Sequence, residues 1–386
     1  MPVLNRIASY AEEMKTWRRH LHAHPELSFD CHETAAFVTA RLTEFGVDEI
    51  HGGIAKTGLV AIINGQRPGP TIGLRADMDA LPILEATGMP HASTISGRMH
   101  ACGHDGHVTM LLGAAKYLAE TRNFAGRVAL IFQPAEEDAG GGQVMVREGI
   151  MDRFAITEVY GLHQEPNMPL GWFLTTPGPF MAAVDTATVT LTGKGGHAAY
   201  PDICTDPIVP MVGMVAALQT IIPKNLNPLD EAVVAVTMIH AGTATNIVPD
   251  TATFCATLRS FSPDVRQTLK RRVLEIVEGH AQAYGVTARV DYDWGYPATV
   301  NHPRETAFAL TAARDVVGEN VDGNWPRDMS SEDFSYLLEA RPGAFLFLGT
   351  GPGPGLHSAT FDFNDEVAPI GSSYFVRLVE RAQPLS

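Results

Sequence analysis

Four strand-like runs and one loop of this chain end in the side chains that bind cations and move protons. TIGLRA leads into Asp77 and Asp79, RVALIFQP leads into Glu136 and Glu137, and EVYGL leads into His163. AFLFLGT leads through a Gly/Pro-rich loop to His357, and the loop MHACGHDGH carries His100, Cys102, His104 and His107. Thiolate, imidazole and carboxylate are the donors that zinc-like divalent ions take. A helix start and a nearby cation also favour the Cys102 thiolate over the thiol. The adjacent glutamates need separate tasks. Successive residues just past a strand point in different directions, so one can ligate while its neighbour handles a proton. Bound cations lower the pKa of water toward ~7. A carboxylate alongside can take the proton and later hand it to a leaving amine. The set suits amide hydrolysis.

Other clusters carry less. His20, His22 and His24 are spaced like a metal-binding tract, but they fall at a helix end beside Pro25 and read as structural. His100 and His107 read as neighbours of the site and not as ligands. Of the two aspartates, Asp79 is assigned a site role and Asp77 is not. Gly140–Gly142 is followed by no Lys-Ser/Thr pair, so it is no phosphate cradle. The HxE…PCxxC arrangement of a zinc deaminase is missing.

The elements that must position these residues can be read from the apolar pattern. Strands are expected over Gly58–Asn64, Thr71–Ala76, Arg127–Phe132 and Glu158–Leu162, and a helix over His107–Thr121. This alternation predicts an α/β domain with a mainly parallel sheet, whose ligands sit at the carboxyl ends of strands. From about Asp185 the order becomes strand, helix over Pro207–Ile222 ended by Pro223, two strands, helix over Pro263–Tyr284, and a strand over Thr287–Trp294. That is a ferredoxin-like α+β unit. Phe345–Gly349 then resumes the buried-strand style. The expected organisation is a discontinuous metal-binding catalytic domain, 1–182 and 295–386, interrupted by a lid or dimerisation domain at 183–294.

Composition sets the class. The chain has 386 residues, 45% of them hydrophobic and 18% charged, enough to bury the cores of two domains. A net charge of -15 argues against nucleic acid and against a basic membrane surface as partners. No run is apolar for the ~18–20 residues that span a bilayer. The first twenty residues read as an amphipathic helix, not as a signal peptide. Cys31, Cys102, Cys204 and Cys255 are scattered without a CxxC pair, which points to a reduced, cytoplasmic setting.

At these residues the chain resembles the M20 metallopeptidase family, in the branch of hippurate hydrolases, aminoacylases and auxin-conjugate amidohydrolases. The matching stretches include RADMDALPI, MHACGHDGH, FQPAEE, GLHQEP, GKGGHAAYP, GTATNIVPD and LHSATFDFNDE, in order along nearly the whole sequence. The resemblance implies that Cys102 bridges two divalent metal ions, zinc or manganese with cobalt or nickel as alternatives. His104, Glu137, His163 and His357 complete the ligands, Glu136 is the general base, and Asp79 orients a ligand. His197, Asn246 and Arg259 are implied to contact the substrate, a small N-acyl amino acid. The inserted domain is implied to mediate a homodimer or homotetramer, leaving open whether His197 serves its own site or its neighbour's. Asp202 departs from the family pattern, which carries His after that proline. Rival readings are a dipeptidase of the same fold and a catalytically silent metal-binding protein.

Overall fold

A computed structural model describes residues 4–385. By internal contacts the chain divides into two units: one takes the chain up to Phe180 with Thr299–Pro326 and the stretch from Asp333, the other Met181–Ala298 with Arg327–Glu332.

The first unit is built on an eight-stranded sheet. Its strands run in the order Glu49–Ile54, Gly58–Asn64, Arg127–Gln133, Thr71–Asp77, Ile156–Glu165, Gly343–Gly349, Phe173–Leu174 and Val321–Asp322. The four central strands, from Arg127–Gln133 to Gly343–Gly349, are mutually parallel. Thr71–Asp77 and Gly343–Gly349 are buried at every position, as strands covered on both faces must be. The helix His104–Thr121 supplies Val108, Leu111, Leu112 and Ala115 to the core cluster that also takes Leu74 and Leu130 from the sheet. Parallel central strands present all their carboxyl ends at one edge; Asp79, Glu136, Glu137 and His357 lie beyond such ends, and His163 lies near the end of its strand, Ile156–Glu165.

The second unit is a four-stranded antiparallel sheet in the order Ala232–Ala241, Thr251–Ser260, Ala183–Thr192 and Thr287–Trp294. Numbered within the unit the order is 2-3-1-4, the ferredoxin-like arrangement. Ala183–Thr192 alternates buried and partly exposed residues. Its buried Ala187, Val189 and Leu191 cluster with Met214 and Leu218 of one helix and Leu269, Val273 and Val277 of the other.

Three boundaries differ from the apolar pattern. The amphipathic N-terminal stretch is two helices, Asn5–Ala8 and Ala11–Ala23, and its first three residues lie outside those described. At the break, the Ser9 hydroxyl donates to the Arg6 carbonyl at 2.6 Å, the side-chain competition that weakens helices. The helix expected over 207–222 is likewise divided into Ile208–Leu218 and Ile221–Asn225, with Thr220 donating to the Ala217 carbonyl at 2.7 Å. Pro223 does not stop it. The proline sits in the first turn of the second piece, where a missing N–H is no loss. Finally, Arg327–Glu332 groups with the inserted unit, outside the expected 183–294, because Ala182 N–H donates to the Asp328 and Ser330 carbonyls.

Candidate metal centre

Asp79 organises the cluster from two residues beyond its strand. Its carboxylate accepts the Glu136 and Glu137 backbone N–H groups, one on each oxygen, both at 3.0 Å. Its carbonyl faces His104 Nδ1 at 2.8 Å, which directs His104 Nε2 away from Asp79. Ala135, just before the glutamates, holds φ at 57°, and His357 holds φ at 59°. Left-handed backbone at non-glycine residues costs energy and tends to persist where surrounding structure imposes it.

The side chains converge. Cys102 Sγ lies 3.4 Å from His163 Nε2. His104 Nε2 lies 3.7 Å from Glu137 Oε1, and His357 Nε2 lies 3.5 Å from Glu137 Oε2. Donor atoms of Cys102, His104 and His163 all fall within 4.8 Å of one another, as do those of Cys102, Glu137 and His357, and those of His104, Glu136 and Glu137. Cys102 belongs to two of these groups whose other members differ. The Glu136 carboxylate accepts the Asp333 N–H at 3.4 Å.

Charge in the cluster is unbalanced toward the negative. Burial, then Glu137 and Glu136, push the Cys102 thiol well above its usual range. Burial pushes Glu137 up to about 7 despite the attraction of His104. Burial opposes charge on His104, but Asp77 and Asp79 together with Glu137 outweigh it and lift the imidazole to about 10. His163 is held well below the usual histidine range, by burial first and by His107 next. Burial is the largest cause of the shifts of thiol and carboxyl, and divalent cations bound there would favour their deprotonated, ligating forms. His104 Nε2 and Glu137 Oε1 are buried and make no hydrogen bond among the described residues, although buried polar atoms are nearly always satisfied. The donor chemistry and these orphaned atoms fit a metal centre.

His107 is not available as a ligand, since both of its nitrogens are engaged. Its Nδ1 meets Asp77 Oδ1 at 2.6 Å and its Nε2 accepts the Gln164 N–H at 2.9 Å. Asp77 in turn accepts from Arg75 at 2.7 Å, and all three side chains are buried. His100 is buried, neither ring nitrogen has a hydrogen-bond partner among the described residues, and its pKa falls to about 4 because of burial. It joins none of the donor groups. The apolar pattern did not single out Gln164, whose one visible signal is an amide directly after His163 near the end of its strand.

In the second unit, His197 and Asn246 are brought together by a two-stranded ribbon. His197 pairs with Ile247, and Ala198 N–H donates to the Asn246 carbonyl at 3.0 Å. His197 Nδ1 accepts the Ala199 N–H at 3.1 Å, which leaves Nε2 outward on an exposed residue. Arg259 pairs across the sheet with Val184 and Val233, and its Nη1 donates to the Met329 carbonyl at 3.0 Å. It forms no ion pair among the described residues, and burial lowers its pKa.

The profile of the Peptidase family M20/M25/M40 matches residues 73–381. An N-acetyl-L-cysteine deacetylase of Bacillus subtilis is 41% identical over 360 residues, covering 93% of this chain and 85% of the relative. A hippurate hydrolase of Campylobacter jejuni is 37% identical over 382 residues, 98% of each. The crystal structure of the Bacillus subtilis YXEP protein, described as a dinuclear metal-binding peptidase from the M20 family, superposes with a TM-score of 0.84. Its identity is 33%, with 97% of this chain and 99% of that one covered.

Proposed function

This chain belongs to the Peptidase family M20/M25/M40, and from that membership we propose that it is a metal-dependent amidohydrolase of N-acyl amino acids. It hydrolyses the amide bond to a carboxylic acid and a free amino acid, as the names of the hippurate hydrolase and N-acetyl-L-cysteine deacetylase relatives suggest. The observation that carries the reading is the convergence of Cys102, His104, Glu137, His163 and His357, with two buried donor atoms left without hydrogen bonds.

In this reading those five residues would hold two divalent ions, zinc or manganese with cobalt or nickel as alternatives, Cys102 being common to two of the donor groups. Bound there, the ions would acidify the attacking water and polarise the scissile carbonyl. Glu136 takes the proton of that water and delivers it to the leaving nitrogen. Asp79 keeps Glu136, Glu137 and His104 in register through its three hydrogen bonds. His197 and Asn246 donate to the carbonyl oxygen as charge develops on it. Arg259 takes the substrate carboxylate, a role suited to a guanidinium that has no carboxylate partner among the described residues. The enzyme works as a homodimer or homotetramer through the inserted unit. Its edge strand Ala232–Ala241 exposes Met238 and Ile239, each at about half of its surface. Four unpaired cysteines suit the cytoplasm, and among the described residues no helix is long and apolar enough to cross a membrane.

A hydrolysis panel of N-acetyl, N-benzoyl and N-indoleacetyl amino acids plus dipeptides, with each metal added in turn, tests the proposal. Turnover of the acyl amino acids supports it. Cleavage of dipeptides alone replaces it with a dipeptidase of the same fold, and no turnover with any metal removes the catalytic claim.

A further inference from the structure

Gln164 follows His163 on the strand Ile156–Glu165 and is completely buried. Each of its four polar groups is engaged, and three of the partners belong to the candidate centre or adjoin it. Its backbone N–H donates to His107 Nε2 at 2.9 Å, and its carbonyl faces His163 Nδ1 at 2.6 Å. Its side-chain amide donates from Nε2 to the Cys102 carbonyl at 3.0 Å, and its Oε1 accepts the Thr350 hydroxyl at 3.4 Å.

We propose that Gln164 is a positioning residue that clamps the Cys102 loop to the His163 strand, setting the 3.4 Å gap between sulfur and imidazole that a cation must bridge. The inference rests on the reading of Cys102 and His163 as metal ligands.

Three features support a clamp over ordinary packing. The carbonyl that receives His163 Nδ1 fixes that ring's tautomer, leaving Nε2 bare toward Cys102; such outer partners tune a ligand's direction and basicity. The amide lies flush on the Gly103 peptide, so that a Cβ at Gly103 would come within 2.8 Å of Gln164 Cγ and Nε2. No water fits between them. The clamp is also anchored, because His107 is held by Asp77 and Asp77 by Arg75 in a buried chain of charge-assisted hydrogen bonds. A glutamine tied at all four points transmits the position of the sheet to the cysteine loop with little slack.

The test loads the parent, Gln164→Met and Thr350→Val with Co2+ alone. It reads the thiolate-to-cobalt charge-transfer absorption, the Co2+ dissociation constant, and folding by circular dichroism. Methionine keeps the volume of Gln164 and removes both amide hydrogen bonds. A folded Gln164→Met chain is expected to bind Co2+ about 10–100-fold more weakly, with a shifted or weakened charge-transfer band. A folded variant whose band and affinity match the parent within twofold overturns the clamp and leaves the metal site standing. Should Gln164→Met not fold, Thr350→Val decides: a shifted band and several-fold weaker binding support the clamp, and parent-like values overturn it. A parent with no thiolate band, or one that survives Cys102→Ser, removes the metal-ligand reading and the clamp with it.

Discussion

At the scale of single residues the account divides labour between two adjacent glutamates. In the proposed function Glu136 moves protons and Glu137 ligates, so Glu136→Gln is expected to lower kcat by ~10²–10⁴-fold, the usual contribution of a positioned acid–base group. Metal content measured by elemental analysis should stay at the parental value. Near-normal turnover with metal retained would refute the assignment. Arg259→Ala removes the charged hydrogen-bonding partner proposed for the substrate carboxylate, an interaction of about 1.5–3 kcal/mol or roughly 10–150-fold. The loss should appear in KM for carboxylate-bearing substrates and vanish for their amides; an unchanged KM would exclude the clamp role. The ligand candidates were legible in the sequence because Cys, His and paired Glu are conspicuous after apolar runs. The supporting residues were not. Asp77 carries no site signal in the sequence, yet it is buried against Arg75 and His107. Gln164 has no distinctive spacing at all. Their roles rest on hydrogen bonds closed between distant segments, which periodicity does not encode.

At the scale of elements, the inner strands of the first unit were legible because strands buried on both faces read as unbroken apolar runs, whereas the largely exposed Glu49–Ile54 and the two-residue strands Phe173–Leu174 and Val321–Asp322 gave no such run. Helix ends were less so, since hydroxyl competition at Ser9 and Thr220 is set by local geometry. The site helix begins at His104, three residues before the apolar pattern suggests, behind Gly103 at φ 84°. Gly103→Ala would force a left-handed alanine and a contact at 2.8 Å with Gln164. It is expected to weaken metal binding by an order of magnitude or more, as follows from the usual cost of disturbing ligand orientation. Parent-like affinity by competition titration would show that the turn is not demanding. In the second unit, Asp185 is buried and accepts from Arg266 at 2.6 Å and from the Tyr292 hydroxyl at 3.0 Å. Burial, then the Asp185 charge, raise the Tyr292 pKa far above its ordinary value. A raised folded-state pKa gives stability that is fully present below the unfolded value of about 10 and is lost as pH climbs beyond it. Thermal midpoints of the parent should therefore fall above pH 10, and Tyr292→Phe should flatten that fall. An equal alkaline slope in both chains would contradict the assignment.

At the scale of the whole molecule, the inserted unit presents an edge strand with exposed Met238 and Ile239. Charged residues on an edge strand block pairing with another chain. Met238→Lys combined with Ile239→Glu is accordingly expected to convert the proposed oligomer to monomers in analytical ultracentrifugation; a parent that is already monomeric would refute assembly through this unit. The central proposal concerns the other unit, where side chains from distant parts of the chain converge and would hold a pair of cations. The most direct measurement is anomalous scattering at the metal absorption edge from crystals grown with Zn2+ or Mn2+. The account predicts two peaks about 3.5–4 Å apart, flanking Cys102 Sγ, with His104, Glu137, His163 and His357 around them. A single peak, peaks remote from Cys102, or none in metal-saturated crystals would contradict it.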